Sequence, residues 1–192
     1  MDHNVFNNDF DLSRLFQRPI HNQGLIRGRW TGASVWTNQA HRDAFLRGEN
    51  VKPLYAEDFD NGVTDVGIHY VLDTSFRGTT ALTSWYALLI DNASYTGVAA
   101  ADTMASHSGW IENQDYDEAV RQTLSFSAAA SRAISDSVSF TMNSTVTIKG
   151  LGVNSDNTKG GTTGTLFSTA LFGTPPALVA ANVLTANYSL SD

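Results

Sequence analysis

Four carboxylates fall close together at Glu112, Asp115, Asp117 and Glu118, with Trp110 just before them and Arg121 just after. Two facing carboxylates could serve as the acid and base of a glycosidase, and several together could hold Ca²⁺. The spacing meets no calcium-loop pattern. Arg121 supplies a counter-ion, so a solvated loop is the simpler expectation and a glycosidase using Glu112 and Asp117 the weaker one. Trp110 follows Ser108-Gly109 and offers an aromatic plane beside this loop. Trp110, Glu112 and Asp115 are therefore the candidate glycan contacts, weighed against an indole that simply plugs the core. Trp30, Trp36 and Trp85 complete the tryptophans. Trp85 opens an apolar run and is expected in the core.

The rest of the chain is poor in chemistry. His3, His21, His41, His69 and His107 form no i, i+4 pair on an expected helix and no HExxH motif, so no metal is expected. No serine sits in a GxSxG strand–turn–helix context. No phosphate-loop or dinucleotide glycine pattern occurs, and Gly150-Leu-Gly152 and Gly160-Gly161 read as sheet and turn. The sequons at Asn92, Asn143 and Asn187 are expected by chance in a chain so rich in Ser, Thr and Asn. Cysteine is absent, which excludes disulfides, thiolate metal sites and cysteine nucleophiles. The expectation is a protein that is not an enzyme, with no cofactor and no catalytic residues.

The 192 residues suffice for one domain, or for one domain with an extension. The net charge of −7 argues against a phosphate-binding surface, so nucleic acid is not an expected partner. The longest apolar runs, Tyr86-Ala-Leu-Leu-Ile90 and Ala177-Leu-Val-Ala-Ala181, fall far short of the roughly 20 residues of a membrane helix. No membrane partner is expected. Met1-Asp-His-Asn4 lacks the basic region and apolar stretch of a secretory signal. Charge is unevenly spread. Residues 1–121 hold 9 Lys/Arg and 16 Asp/Glu, whereas residues 122–192 hold 3 and 3, and Ser and Thr fill 22 of those last 71 positions. Such a stretch suits strands with neutral outer faces, or a surface covered by another chain, because a hydroxyl is far cheaper to desolvate than a charge.

The elements follow from patterning. In residues 1–24, Phe6, Phe10, Leu12, Leu15, Phe16 and Ile20 are diluted by Asn and Asp. Such a segment cannot build its own core, yet its apolar groups are costly to leave in water. It reads as an arm that packs on a neighbouring subunit, with Phe6, Phe10, Leu12, Leu15 and Phe16 as interface residues. Leu12, Leu15 and Phe16 fall at i, i+3, i+4. Residues 25–80 read as a mixed strand-and-helix lead-in. Leu25 to Thr31 is a strand, with 33–36 its continuation or a loop. Asn38 or Thr37 caps a short helix that Gly48 stops. Residues 51–59 read as an edge strand because Pro53 cannot donate to a ladder, followed by a turn at Asp60-Asn-Gly62. Thr64 caps a helix ending at Gly78, with Ile68, Val71, Leu72, Ser75 and Phe76 on its packed face and Gly67 a weak point of about 1 kcal/mol.

Residues 81–192 read as the core of a sandwich. Trp85 to Ile90 is apolar on both faces and so central. A short helix is expected over 100–107. Val138, Phe140 and Met142 alternate inward, as do Leu184, Ala186, Tyr188 and Leu190, and Leu166 to Leu171 is a strand. Residues 154–161 and 173–176 are turns. Closely spaced short strands predict a mainly β domain over 25–192, a β-sandwich or jelly roll with one or two short helices behind an extended N-terminal arm.

Several stretches in order carry a resemblance. They are Phe59-Asp-Asn-Gly-Val-Thr-Asp-Val-Gly-Ile-His-Tyr-Val-Leu-Asp73, Trp85-Tyr-Ala-Leu-Leu-Ile-Asp-Asn92 and Asp102-Thr-Met-Ala-Ser-His-Ser-Gly-Trp-Ile-Glu112. They continue in Tyr116-Asp-Glu-Ala-Val-Arg121, Ser155-Asp-Asn-Thr-Lys-Gly-Gly-Thr-Thr-Gly-Thr-Leu166 and Asn182-Val-Leu-Thr-Ala-Asn-Tyr188. From Asp58 onward this order resembles a family of small β-rich virion structural proteins of tailed bacteriophages. The resemblance covers about two thirds of the chain and matches less well over 1–57. It implies a virion component, a head decoration or cement protein or else a tail or fibre component, assembled in the bacterial cytoplasm. The implied partners are further copies of itself, with a trimer favoured, and the major capsid protein or other virion proteins. It carries over no catalytic residue.

Overall fold

The computed structural model describes residues 27–191. The expected arm, residues 1–24, and its interface residues lie outside the described residues. The domain is mainly β, with two short helices, as the patterning predicts. Its strands are β1 Arg27–Trp36, β2 Tyr55–Val63, β3 Trp85–Asp91, β4 Glu112–Asn113, β5 Gln122–Leu124, β6 Ala133–Thr141, β7 Val146–Asn154, β8 Leu166–Leu171, β9 Ala177–Leu178 and β10 Val183–Ser191. The helices are α1 Gln39–Leu46 and α2 Asp65–Phe76.

The ten strands make one curled antiparallel sheet in the order β4-β3-β7-β8-β2-β1-β10-β6, with β5 also on β3 and β9 on β7. The two halves join through three residue pairs only, Asn61–Ala170, Gly62–Thr169 and Val63–Ser168. About that short junction, β6-β10-β1-β2 folds over β8-β7-β3. The shared core takes Trp30, Phe59, Phe140, Leu184 and Tyr188 from the first half and Ala87, Leu89, Leu151, Val153 and Ala170 from the second. The far edges meet at a seam where β5 and β6 are held by a side chain, the Ser125 amide donating to the Asp136 carboxylate at 2.6 Å.

Alternation fixes the inward set. Val138, Phe140 and Met142 are buried, and so are Leu184, Ala186 and Tyr188, as the period of two requires. β1 runs unbroken through 33–36 because a bulge absorbs an extra residue. The register shifts between Thr31 and Ser34, and Gly32 adopts φ +56 with its amide on Asp58 Oδ1 at 2.6 Å. The lead-in segment 25–80 and the core segment 81–192 are one unit in the described residues, since β1 and β2 sit in mid-sheet between β10 and β8.

Three expectations are corrected. Residues 51–59 do not form an edge strand. The strand is Tyr55–Val63, which pairs with β1 over Tyr55–Asp60 and with β8 over Asn61–Val63, and Pro53 lies before it, where it costs no ladder bond. Asp60-Asn-Gly62 is therefore strand and not turn. Cross-strand pairing with Arg29 and Ala170 overrides local turn preference. Residues 100–107 form turns instead of a helix, because the Asp102 carboxylate takes the Ala99 amide and the Trp110 indole N–H.

The third correction concerns α2. Thr64 caps it as predicted, accepting from the Gly67 amide at 3.1 Å, and Thr64 also donates to the Leu166 carbonyl. Of the predicted packed face only Val71 lies against the core. Gly67 faces the sheet, buried, and a Cβ there would collide with the Phe167 carbonyl oxygen. The helix backbone lies directly on β8, with Tyr70 and Val71 flanking the contact. Tyr70 meets Trp85 edge-on at 5.2 Å. Ile68, Leu72 and Phe76 are left 41%, 45% and 81% exposed.

Candidate functional site

The acidic loop is a structural brace. Arg121 is 0% and Glu112 4% exposed at the side chain. Arg121 donates to both Glu112 carboxylate oxygens at 2.9 and 2.6 Å, and to the carbonyls of Asp156 and Gly161 at 2.8 and 2.7 Å. The Gly160 amide adds a bond to Glu112 at 3.0 Å. Lys159 donates to the Gln114 and Tyr116 carbonyls and lies 3.8 Å above the Tyr116 ring. The loop 112–121 is thereby fastened to the loop 155–161. The same loop is set by Asp156. The Thr158 amide and side chain, and then the Thr163 hydroxyl, hold its carboxyl below the usual carboxylate range.

This corrects the expectation of a solvated loop at Glu112 and Arg121, while Asp115 and Asp117 are exposed as expected. Arg121 is the counter-ion, but the pair is buried because the guanidinium has backbone carbonyls to satisfy its remaining donors. Glu112 is thus engaged on both oxygens. Trp110 is 2% exposed, donates to Asp102 at 3.0 Å and is stacked by His107 at a centroid distance of 4.0 Å. A sugar ring needs an open aromatic face, and this indole presents none. Of the three candidate glycan contacts only Asp115 is exposed. Asp117 is also exposed, and Glu118 accepts from the Thr141 amide at 3.2 Å. Among the described residues no group of three His, Asp or Glu side chains is placed to hold a metal ion.

The sheet's outer face on β6, β10 and β1 carries Ser135, Ser137, Ser139, Thr185, Asn187, Thr31 and Ser34. The charge-poor stretch of the sequence supplies most of this largely neutral surface, which Arg29, paired with Asp58, borders on β1. Trp36 and Thr185 close it against α1, the indole donating to the threonine hydroxyl at 3.2 Å.

The most distinctive surface is apolar and lies where α2 and β3 face β6 and β10. Tyr70, Val71, Trp85, Phe126, Ile134 and Leu190 wall an open cavity of about 140 Å³, with no charged residue in its lining. Val71 joins this groove to the exposed row Ile68, Leu72, Phe76 on α2. The sequence placed that row correctly on one helix face but assigned it to the core. The signal that would have found the true packed face was Gly67 itself, since a buried mid-helix glycine marks a close backbone approach. No family model, no curated protein and no solved structure matches this chain.

Proposed function

We propose that this chain is a non-enzymatic structural protein of a tailed-bacteriophage virion, a head decoration or cement protein that stabilises the shell as a homo-oligomer. It is assembled in the host bacterial cytoplasm and sits against the major capsid protein or another virion protein. The observation that carries the reading is the apolar surface of α2, where Ile68, Leu72 and Phe76 stand in water beside an uncharged groove. A surface of this kind is completed by contact with another chain. Full burial of such a side chain is worth roughly 1.5–3 kcal/mol, a gain repeated in every copy of an assembly. The ordered resemblance from Asp58 onward supports the virion setting, and the neutral hydroxyl face suits contact between symmetric copies. A glycan-binding fibre module has less support, because Trp110 and Glu112 are buried.

Imaging of whole particles with this chain labelled tests the reading. The label is expected on the head at many symmetric positions, and a tail position would replace the decoration reading with a tail component. Deleting residues 1–20 is expected to reduce incorporation several-fold. Purified particles with no trace of the chain would end the virion proposal.

A further inference from the structure

We propose that the groove between α2 and the mouth of the sheet seats the arm of a second copy of this chain, through Leu12, Leu15 and Phe16. The inference rests on the reading of residues 1–24 as an intersubunit arm and names the surface that receives it. A dry apolar cavity of about 150 Å³ accepts a benzene ring. The groove, at about 140 Å³, has room for one phenyl ring, and Phe16 is the arm's phenylalanine nearest in sequence to β1. Leu12 and Leu15, at i−4 and i−1 from Phe16, then have the contiguous row Ile68, Leu72 and Phe76 to cover.

The length of the arm and the place where the chain meets the sheet select a second copy. Gly28 pairs with Leu190, a wall residue, so the chain enters β1 at the rim of its own groove. Phe16 precedes Arg27 by 11 residues, a reach of up to about 36 Å. To fill its own groove that stretch must double back on the rim and close a loop. A tether of that length holds the arm at millimolar concentration over any groove within reach, a neighbour's as much as its own, and the neighbour's is met without folding back. Each copy offers one arm and one groove, so a reciprocal pair or a closed ring leaves none of them unfilled.

The absence of cysteine makes the test clean. Full-length Ser13→Cys, beside the arm cluster, is mixed with full-length Ser75→Cys, exposed on α2, and oxidised. A covalent dimer holding one of each is expected, at about tenfold the yield of a control pairing Ser13→Cys with Thr174→Cys, whose neighbour Gly173 bonds Glu57 away from the groove. Adding Leu72→Asp to the Ser75→Cys chain is expected to remove that excess. Leu72 is already half in water, so the charge leaves the core intact. A yield no greater than the control overturns the proposal. So does a cross-link that forms only within single chains of a Ser13→Cys/Ser75→Cys variant. Particle incorporation is a separate readout, so a chain that cross-links as expected but is never found in particles sinks the virion reading and leaves this seat standing.

Discussion

Arg121 shows how one residue converts a patch that looks reactive into a fastening. A guanidinium removed from water needs its donors filled, and here one carboxylate and two carbonyls fill them. Removing one partner of such a pair leaves a buried charge uncompensated, at a cost of about 3–5 kcal/mol. Glu112→Ala is therefore expected to lose roughly that much stability, read as a lowered urea midpoint. A loss below about 1 kcal/mol would show that the pair is effectively solvated. The residue types and their order were legible in the sequence: the acidic cluster, its counter-ion and the alternative of a buried Trp110 could all be read. The burial of the Glu112–Arg121 pair was not legible. It depends on Asp156 and Gly161, which lie 35 and 40 residues further on, in the loop between β7 and β8.

Among the elements, α2 holds the clearest lesson. Its cap at Thr64 and its extent were readable from local chemistry. Its orientation was not, because Ile68, Val71, Leu72 and Phe76 make a plausible core stripe on pattern alone. The helix instead turns Gly67 toward β8, where the Phe167 carbonyl leaves no room for a side chain. Alanine is normally about 1 kcal/mol better than glycine inside a helix. Gly67→Ala is expected to reverse that sign and destabilise by about 1–3 kcal/mol through overpacking. Chemical denaturation of the single variant checks it, and a stabilised variant would mean that α2 does not lie on β8. The strand β2 makes the same point in another form. Turn-forming Asp60, Asn61 and Gly62 are held extended by partners on β1 and β8, which no local propensity reveals.

The molecule as a whole has a core that both halves of the sheet share, and two tyrosines in it link stability to pH. Burial pushes the Tyr188 hydroxyl well above the ordinary tyrosine range, against the opposing bonds to Ser168 and Asn61. Burial also raises Tyr116, with Glu112 adding to the shift and Arg121 opposing it. An unfolded tyrosine loses its proton near pH 10, about the value of the free side chain. Above that pH the unfolded chain binds fewer protons than the folded one, so stability falls as pH rises. Below it these two groups contribute no slope. Urea midpoints measured between pH 8 and 11 are expected to be level and then to drop past about 10. Tyr188→Phe should soften the drop, and a profile that stays level to pH 11 contradicts the buried hydroxyls.

The pairing of β1 with β10 has a mechanical consequence. Arg27 and Ser191 are ladder partners, so the first residue of one strand and the last of the other leave the sheet at the same place. Tension applied across those two points peels the ladder open one hydrogen bond at a time, like a zipper, rather than loading all the bonds together in shear. A pull on Arg27 against Ser191 therefore meets this ladder in its weak direction.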